Sequence, residues 1–129
     1  MIIIGKHFEF EASHQLPSEE CYGACQNMHG HTYKGVVEIS GNLNDKGWLV
    51  NFKDLKAIIN DVIVDICDHN HLNNVFPKDV ITTAENMVSV FAPLLREAIA
   101  EKLLVQNPTV RLHSITLYET SNSFVRWER

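Results

Sequence analysis

The chain has 129 residues, 45% of them hydrophobic, 21% charged and 9% aromatic, and its 11 basic against 16 acidic side chains give a formal charge of −5. This is the size and balance of one globular domain over residues 1–129, with too little Gly and Pro for a collagen-like, mucin-like or long disordered segment. Apolar runs such as Met1–Ile4 fall far short of the roughly 18 residues a membrane-spanning helix needs, the opening Met-Ile-Ile-Ile-Gly-Lys lacks the basic stretch of a secretory signal, and Lys and Arg are scattered. No membrane and no nucleic-acid partner is expected. Three cysteines, an odd number, fit a cytoplasmic chain with free thiols better than a disulfide framework.

A first strand is expected over Ile2–Ala12, where Phe8, Phe10 and Ala12 alternate with His7, Glu9 and Glu11. From Ser13 to Gly30 the periodicity is lost in a segment rich in Ser, Glu, Cys, Asn and His, long enough to read as a functional loop. Strand character returns over Tyr33–Gly41, and the turn Asn42–Gly47 leads to Trp48–Val50 as a hairpin partner. The period then changes. Leu55, Ile58, Ile59, Val62 and Ile66 mark one helical face with Asn51 as N-cap, which predicts a helix over Phe52–Cys67. Beyond the polar stretch Asp68–Asn74 and the loop at Pro77, Thr82-Thr83-Ala84-Glu85 has capping-box spacing, and Met87, Phe91, Leu94 and Ala98 define a second face. Pro93 is expected to kink this helix or shift its start, and Asn107-Pro108 to end it. Thr109–Glu119 reads as a strand whose apolar phase slips between Leu112 and Ile115, as at a bulge, and Phe124–Trp127 as a short strand after the turn Ser121–Ser123. The order implies an α+β fold with an antiparallel sheet and two helices on one face.

The densest chemical signal is Cys21-x3-Cys25-x3-His29-Gly-His31, with His14 upstream. His29 and His31 are two apart, so on a strand both imidazoles point to one face and can share a metal ion. His14 can add a third nitrogen if the two strands are neighbours. Three histidines with an open fourth position describe a catalytic zinc site. The same segment supports a rival reading, in which Cys21, Cys25, His29 and His31 close a structural zinc site in a binding module, leaving His14 without a role. A third reading makes His-Gly-His a solvated strand end. If the thiols are not ligands, Cys25 stands close enough to a metal for its thiolate to serve as base or nucleophile, while Cys67 reads as core. In Asp68-His69-Asn70-His71, Asp68 could orient His69 for proton handling, although a histidine near a helix C-terminus is favoured by the dipole alone. Glu119, ending the run Leu117-Tyr118-Glu119, is placed to accept from a donor–donor edge such as an amino-pyrimidinone, or is simply a surface strand end. Glu85 is accounted for by the capping box as readily as by a ligand.

Taken together, Phe10-Glu11-Ala12-Ser13-His14, Cys25-x3-His29-Gly-His31, Asp68-His69, Thr83-Ala84-Glu85-Asn86 and Tyr118-Glu119-Thr120 resemble the 6-pyruvoyl-tetrahydropterin synthase and 6-carboxytetrahydropterin synthase family over essentially the whole chain. The resemblance implies the tunnelling fold, in which a ββααββ subunit assembles through sheet edges into rings stacked as a homohexamer, with active sites at subunit interfaces. It implies His14, His29 and His31 as ligands of Zn2+, Cys25 as the proton-abstracting base, and Asp68 with His69 as a proton relay. Glu119 would anchor the pterin ring, and Glu85 and Thr83 would line the pterin pocket. The implied reaction converts 7,8-dihydroneopterin triphosphate to 6-carboxy-5,6,7,8-tetrahydropterin, releasing triphosphate and acetaldehyde, on the way to queuosine and other deazapurines. The pyruvoyl branch, which keeps the carbons, is the alternative, and the short chain favours the carboxy branch. Asn51 replaces the Asp of the family's Gly-x-x-x-Asp-Phe stretch, matched here by Gly47–Phe52, and is as good an N-cap; Cys21 is an extra thiol. With a net charge of −5, a triphosphate must be met by a local cationic cluster, for which Lys34, Lys53 and Arg126 are the candidates.

Overall fold

A computed structural model describes residues Met1–Arg129. In chain order the elements are β1 (Ile2–His14), β2 (His29–Gly41), α1 (Phe52–Ile59), α2 (Asp65–Cys67), β3 (Asn70–His71), α3 (Leu72–Val75), α4 (Ala84–Lys102), β4 (Arg111–Thr120) and β5 (Ser123–Glu128). The five strands form one sheet in the order β3-β1-β2-β4-β5. β1 and β2 pair antiparallel without interruption from Ile2↔Gly41 to His14↔His29, so both strands run further toward the histidines than the periodicity predicts. Helices cover the face that carries Phe8, Phe10, Tyr33, Val37 and Ile39, and with it they enclose a core of 27 buried residues.

Four features differ from the sequence expectation. The sheet is mixed rather than antiparallel throughout, because β3 runs parallel to the end of β1 through Ala12↔Asn70 and Ser13↔His71. Such a strand has no apolar alternation to reveal it. Trp48–Val50 is not a strand; Leu49 and Val50 enter the core from a turn in which Asn44 Oδ1 accepts the N–H groups of Lys46 and Trp48 at 2.9 and 3.4 Å.

The predicted first helix is interrupted by a π-helical stretch, Asn60–Val64, between α1 and α2. Its wider turn rotates the following residues, so Ile63 and Cys67 are buried while Ile66 is 42% exposed, where the helical period placed Ile66 inside. In α4 the N-cap is Thr83, whose hydroxyl accepts from Asn86 N–H, one residue later than the Thr82–Glu85 box. The buried stripe accordingly runs through Met87, Val88, Phe91, Ala92, Leu95 and Ile99, leaving Leu94 42% exposed. Pro93 lies on the exposed side within α4, which starts upstream of it and continues to Lys102.

The slip expected in β4 is present. Its register with β2 shifts where Glu38 pairs with Ser114 and Ile39 with Leu112, leaving His113 unpaired. Where β2, β1 and β4 pack most closely, residue 35 must be glycine: a Cβ there would collide with the Phe8 ring and the Thr116 carbonyl.

Candidate metal centre

The ends of β1 and β2 build the centre. Phe8, Phe10 and Ala12 point into the core, and period two puts His14 on the same face, 1% exposed. Tyr33 and Val37 fix the inner face of β2, and the same alternation brings His31 and His29 onto it. Since His14 and His29 are register partners and His31 lies opposite Ala12, three imidazoles gather at one end of the core layer. Their ring centroids are 4.5 Å (His14–His29), 5.2 Å (His14–His31) and 4.9 Å (His29–His31) apart. One ligand atom from each lies within 4.8 Å of the other two.

Two of the rings are held in a defined tautomer. His14 Nδ1 is 2.8 Å from the Thr82 carbonyl oxygen and His29 Nδ1 is 2.7 Å from that of Asn27. A carbonyl can only accept, so each Nδ1 carries the proton and each Nε2 keeps its lone pair. Thr82 Oγ1 adds a second oxygen 3.2 Å from the His14 nitrogen. All three Nε2 atoms are buried without a hydrogen-bond partner. Burial holds the His14 pKa below the ordinary value, as does the proximity of His29 and His31, while the Thr82 carbonyl and Glu119 oppose the shift. His31 is likewise lowered, by burial first and His29 second, against Glu119. Three imidazoles that turn buried, unpartnered Nε2 atoms to one point are a donor set for a transition-metal ion such as zinc. A solvated strand end would not bury them.

The cysteines stand apart from this donor set. Cys21 is exposed and Cys25 half-buried on the short 3-10 turn Glu20–Gln26, whose Cys25 carbonyl accepts the Leu16 N–H at 2.8 Å. Among the chain's His, Cys, Asp and Glu side chains, the set that converges is His14, His29 and His31, not Cys21, Cys25, His29 and His31. Cys67 is fully buried and its thiol is pushed up to about 12 by burial.

Glu119 reaches the centre from β4. The β4–β5 register shifts between Tyr118 and Thr120, leaving Glu119 unpaired with β5, and its Oε1 lies 3.4 Å from His31 Nε2. Asp68 and His69 are elsewhere. Asp68 Oδ1 accepts the Glu11 N–H at 2.9 Å and Oδ2 lies 2.9 Å from His69 Nδ1. The Glu11 N–H, ahead of His69, holds the Asp68 carboxyl below its usual range. His69 adopts a positive φ of 58° and lines, with outward-facing Glu11, Ser13 and Thr32, an open cavity of about 500 Å³. Within one chain the pair thus sits on the β3 side of β1, bonded to the Glu11 backbone, and His31 lines the same cavity as His69.

Thr83 caps α4, and Glu85 is exposed on its first turn. Of the three candidate cations, Arg126 is engaged by Glu38 at 2.9 Å and Glu128 at 3.0 Å, Lys34 lies exposed on the outer sheet face, and Lys53 is exposed on α1. Sequence reasoning missed Thr82, which sets the His14 tautomer. Its signal is a polar residue one position before an N-cap. Asn27 acts through its backbone and leaves no signal at all.

Residues 3–129 match the family described as 6-pyruvoyl tetrahydropterin synthase. A relative from Haemophilus influenzae, named 6-carboxy-5,6,7,8-tetrahydropterin synthase, is 33% identical over 142 residues and covers 99% of both chains. One from Dictyostelium discoideum, named 6-pyruvoyl tetrahydrobiopterin synthase, is also 33% identical, over 137 residues, covering 96% of this chain and 93% of its own. The solved structure of Caenorhabditis elegans 6-pyruvoyl tetrahydropterin synthase superposes with a TM-score of 0.84 at 23% identity, covering 99% of this chain and 95% of that one, a likeness of fold. With the family match spanning almost every residue and relatives one-third identical along nearly their whole length, the chain belongs to the 6-pyruvoyl tetrahydropterin synthase family.

Proposed function

We propose that this chain is a zinc-dependent lyase that converts 7,8-dihydroneopterin triphosphate to 6-carboxy-5,6,7,8-tetrahydropterin with loss of triphosphate and acetaldehyde, a step toward queuosine and related deazapurines in the cytoplasm. The observation that carries the reading is the convergence of three buried imidazole nitrogens, each without a partner, at the inner end of β1 and β2. His14, His29 and His31 hold the metal. Zinc bound there would supply Lewis acidity toward the side-chain hydroxyls of the substrate and so acidify the adjacent C–H.

Cys25 takes that proton as thiolate, carried on a turn that the Leu16–Cys25 bond ties to the chain just beyond β1. Glu119 accepts from the N–H edge of the pterin ring, with Thr83 and Glu85 at the start of α4 lining the pocket. Asp68 orients His69, and the pair moves protons between the site and solvent. Asp68 and His69, held at the Glu11 backbone on the β3 side of β1, serve the site of a neighbouring copy in a homohexamer whose active sites lie at subunit interfaces.

A second reading, 6-pyruvoyl-tetrahydropterin synthase, draws support from the Dictyostelium relative, which matches as well as the Haemophilus one. Incubating zinc-loaded protein with 7,8-dihydroneopterin triphosphate separates them. Acetaldehyde together with a 6-carboxypterin is the expected result, triphosphate release without acetaldehyde selects the pyruvoyl reaction, and no turnover refutes both.

A further inference from the structure

Four buried side-chain atoms lack a hydrogen-bond partner: the Nε2 atoms of His14, His29 and His31, and the Tyr33 hydroxyl. A metal accounts for the first three. Nothing in its role explains the fourth. Tyr33 is 0% exposed and stacks on Phe10 with centroids 4.9 Å apart, while its ring lies 5.4 Å from that of His31 and 6.3 Å from that of His14. Leaving a hydroxyl buried and unpaired is destabilising, and phenylalanine would fill the same space without that penalty. A phenol hydroxyl carries a proton to donate.

The acceptor that the sheet sets beside this donor is Glu119. The β2–β4 ladder ends at Lys34↔Tyr118, Tyr33 and Glu119 are the residues just beyond that last pair, and the Glu119 carboxylate meets His31, whose ring lies 5.4 Å from that of Tyr33. The Glu119 Oε1 lies 3.4 Å from His31 Nε2. Once that nitrogen gives its lone pair to a metal, it has no proton to share with a carboxylate, and the Tyr33 hydroxyl is the unused donor nearby.

We propose that Tyr33 is the positioning donor for Glu119: its hydroxyl binds one carboxylate oxygen when His31 is committed to a metal, leaving the other aimed at the N–H edge of a pterin ring. The proposal rests on the reading of Glu119 as pterin anchor and adds the residue that aims it.

The test is Tyr33→Phe in the full chain, with zinc content, thermal melt, neopterin affinity by fluorescence titration and steady-state kinetics measured beside wild type and Glu119→Gln. Zinc content should be unchanged, and the melting temperature of chelator-stripped protein equal or higher, as relief of an unpaired hydroxyl requires. Neopterin affinity should fall about 10-fold, the scale of a hydrogen bond to a charged group, and KM should rise by more than kcat falls. In a Glu119→Gln background Tyr33→Phe should change neopterin affinity little, because the two residues act on one contact. Wild-type affinity in Tyr33→Phe, or an equal loss with Glu119 already replaced, overturns the role of Tyr33 while leaving the pterin reading standing. Absence of neopterin binding by the wild type overturns that reading and the role of Tyr33 with it.

Discussion

His14 and His29 face each other across the β1–β2 ladder, ring edge to ring face with centroids 4.5 Å apart, and each donates its Nδ1 proton to a carbonyl of a loop outside the sheet. Thr82 and Asn27 therefore decide which nitrogens are free. Chelator-stripped protein titrated with zinc should bind one ion per chain, and free metal at a thousandfold above Kd should stabilise the fold by about 4 kcal/mol, read as a rise in the melting temperature. His14→Ala should abolish the rise. A melt indifferent to metal would remove the centre from the account.

Without metal, the same burial makes stability depend on pH. His14 and His31 have pKa values below 6.5 in the folded chain. Between the folded value and 6.5 the unfolded chain binds more protons than the folded one, so stability rises with pH through that window and levels off above it. Melting temperatures of stripped protein should fall as pH drops below about 6.5, the unperturbed histidine value, and His14→Gln should flatten part of that slope. Asp68, lowered in the folded chain, adds a second loss only at more acidic pH, as its carboxyl becomes protonated. A slope unchanged in His14→Gln would assign the effect to other groups.

The strands, their burial pattern and the bulge in β4 follow from period-two alternation, and the same period puts His29 and His31 on one face. What escapes is structure set by backbone alone. β3 exists because Asn70 and His71 find the free edge of β1, with no apolar pattern of their own. The π-helical stretch at Asn60–Val64 adds to the helical turn without altering composition, and it exchanges Ile66 for Ile63 in the core, while Cys67 is buried as its sequence reading had it. His14 could be matched with His29 and His31 only by assuming adjacent strands, which the ladder supplies. The placement of Asp68 and His69 on the other side of β1 depends on how the chain leaves α2, through the positive φ of His69, a conformation that a residue other than glycine adopts only when neighbouring bonds hold it.

Gly35 gives a stability test independent of any ligand. Because the new methyl would meet the Thr116 carbonyl of the adjacent strand as well as the Phe8 ring, relief requires the β2–β4 ladder to open. Gly35→Ala should cost about 3 kcal/mol, at the upper end of overpacking in a core, and lower the melting temperature by about 10 °C. Gly23→Ala, with open space around its Cβ but a positive φ of 53°, should cost less, near 1 kcal/mol. A Gly35→Ala protein as stable as wild type would contradict the packing described for β1, β2 and β4.

Arg126 is removed from the expected phosphate-binding set by its own neighbours. Glu38 and Glu128 hold the guanidinium, and Ser114 donates to the same Glu38 oxygen at 2.6 Å. Arg126→Gln should therefore leave KM for the triphosphate substrate within about twofold and change stability by no more than about 1 kcal/mol, as for exposed ion pairs. Lys34 makes no salt bridge of its own, and Lys34→Gln should raise KM if the outer sheet face meets the triphosphate. A larger KM effect at Arg126 than at Lys34 would reverse this assignment.

The two thiols of the 3-10 turn separate a catalytic centre from a structural zinc knuckle. The converging donors are three imidazoles, and Cys25 is tied to the rest of the chain through its carbonyl rather than its sulfur. Cys25→Ala should accordingly keep one zinc per chain and an unchanged melt, while turnover falls about 10²- to 10⁴-fold, the usual worth of a general base. Cys21→Ala, at an exposed position, should retain both metal and turnover. Zinc loss in Cys25→Ala with an unfolded loop would instead make the thiol a ligand and turn the centre into a closed structural site, because a buried metal missing one of four donors no longer repays the ordering of its loop.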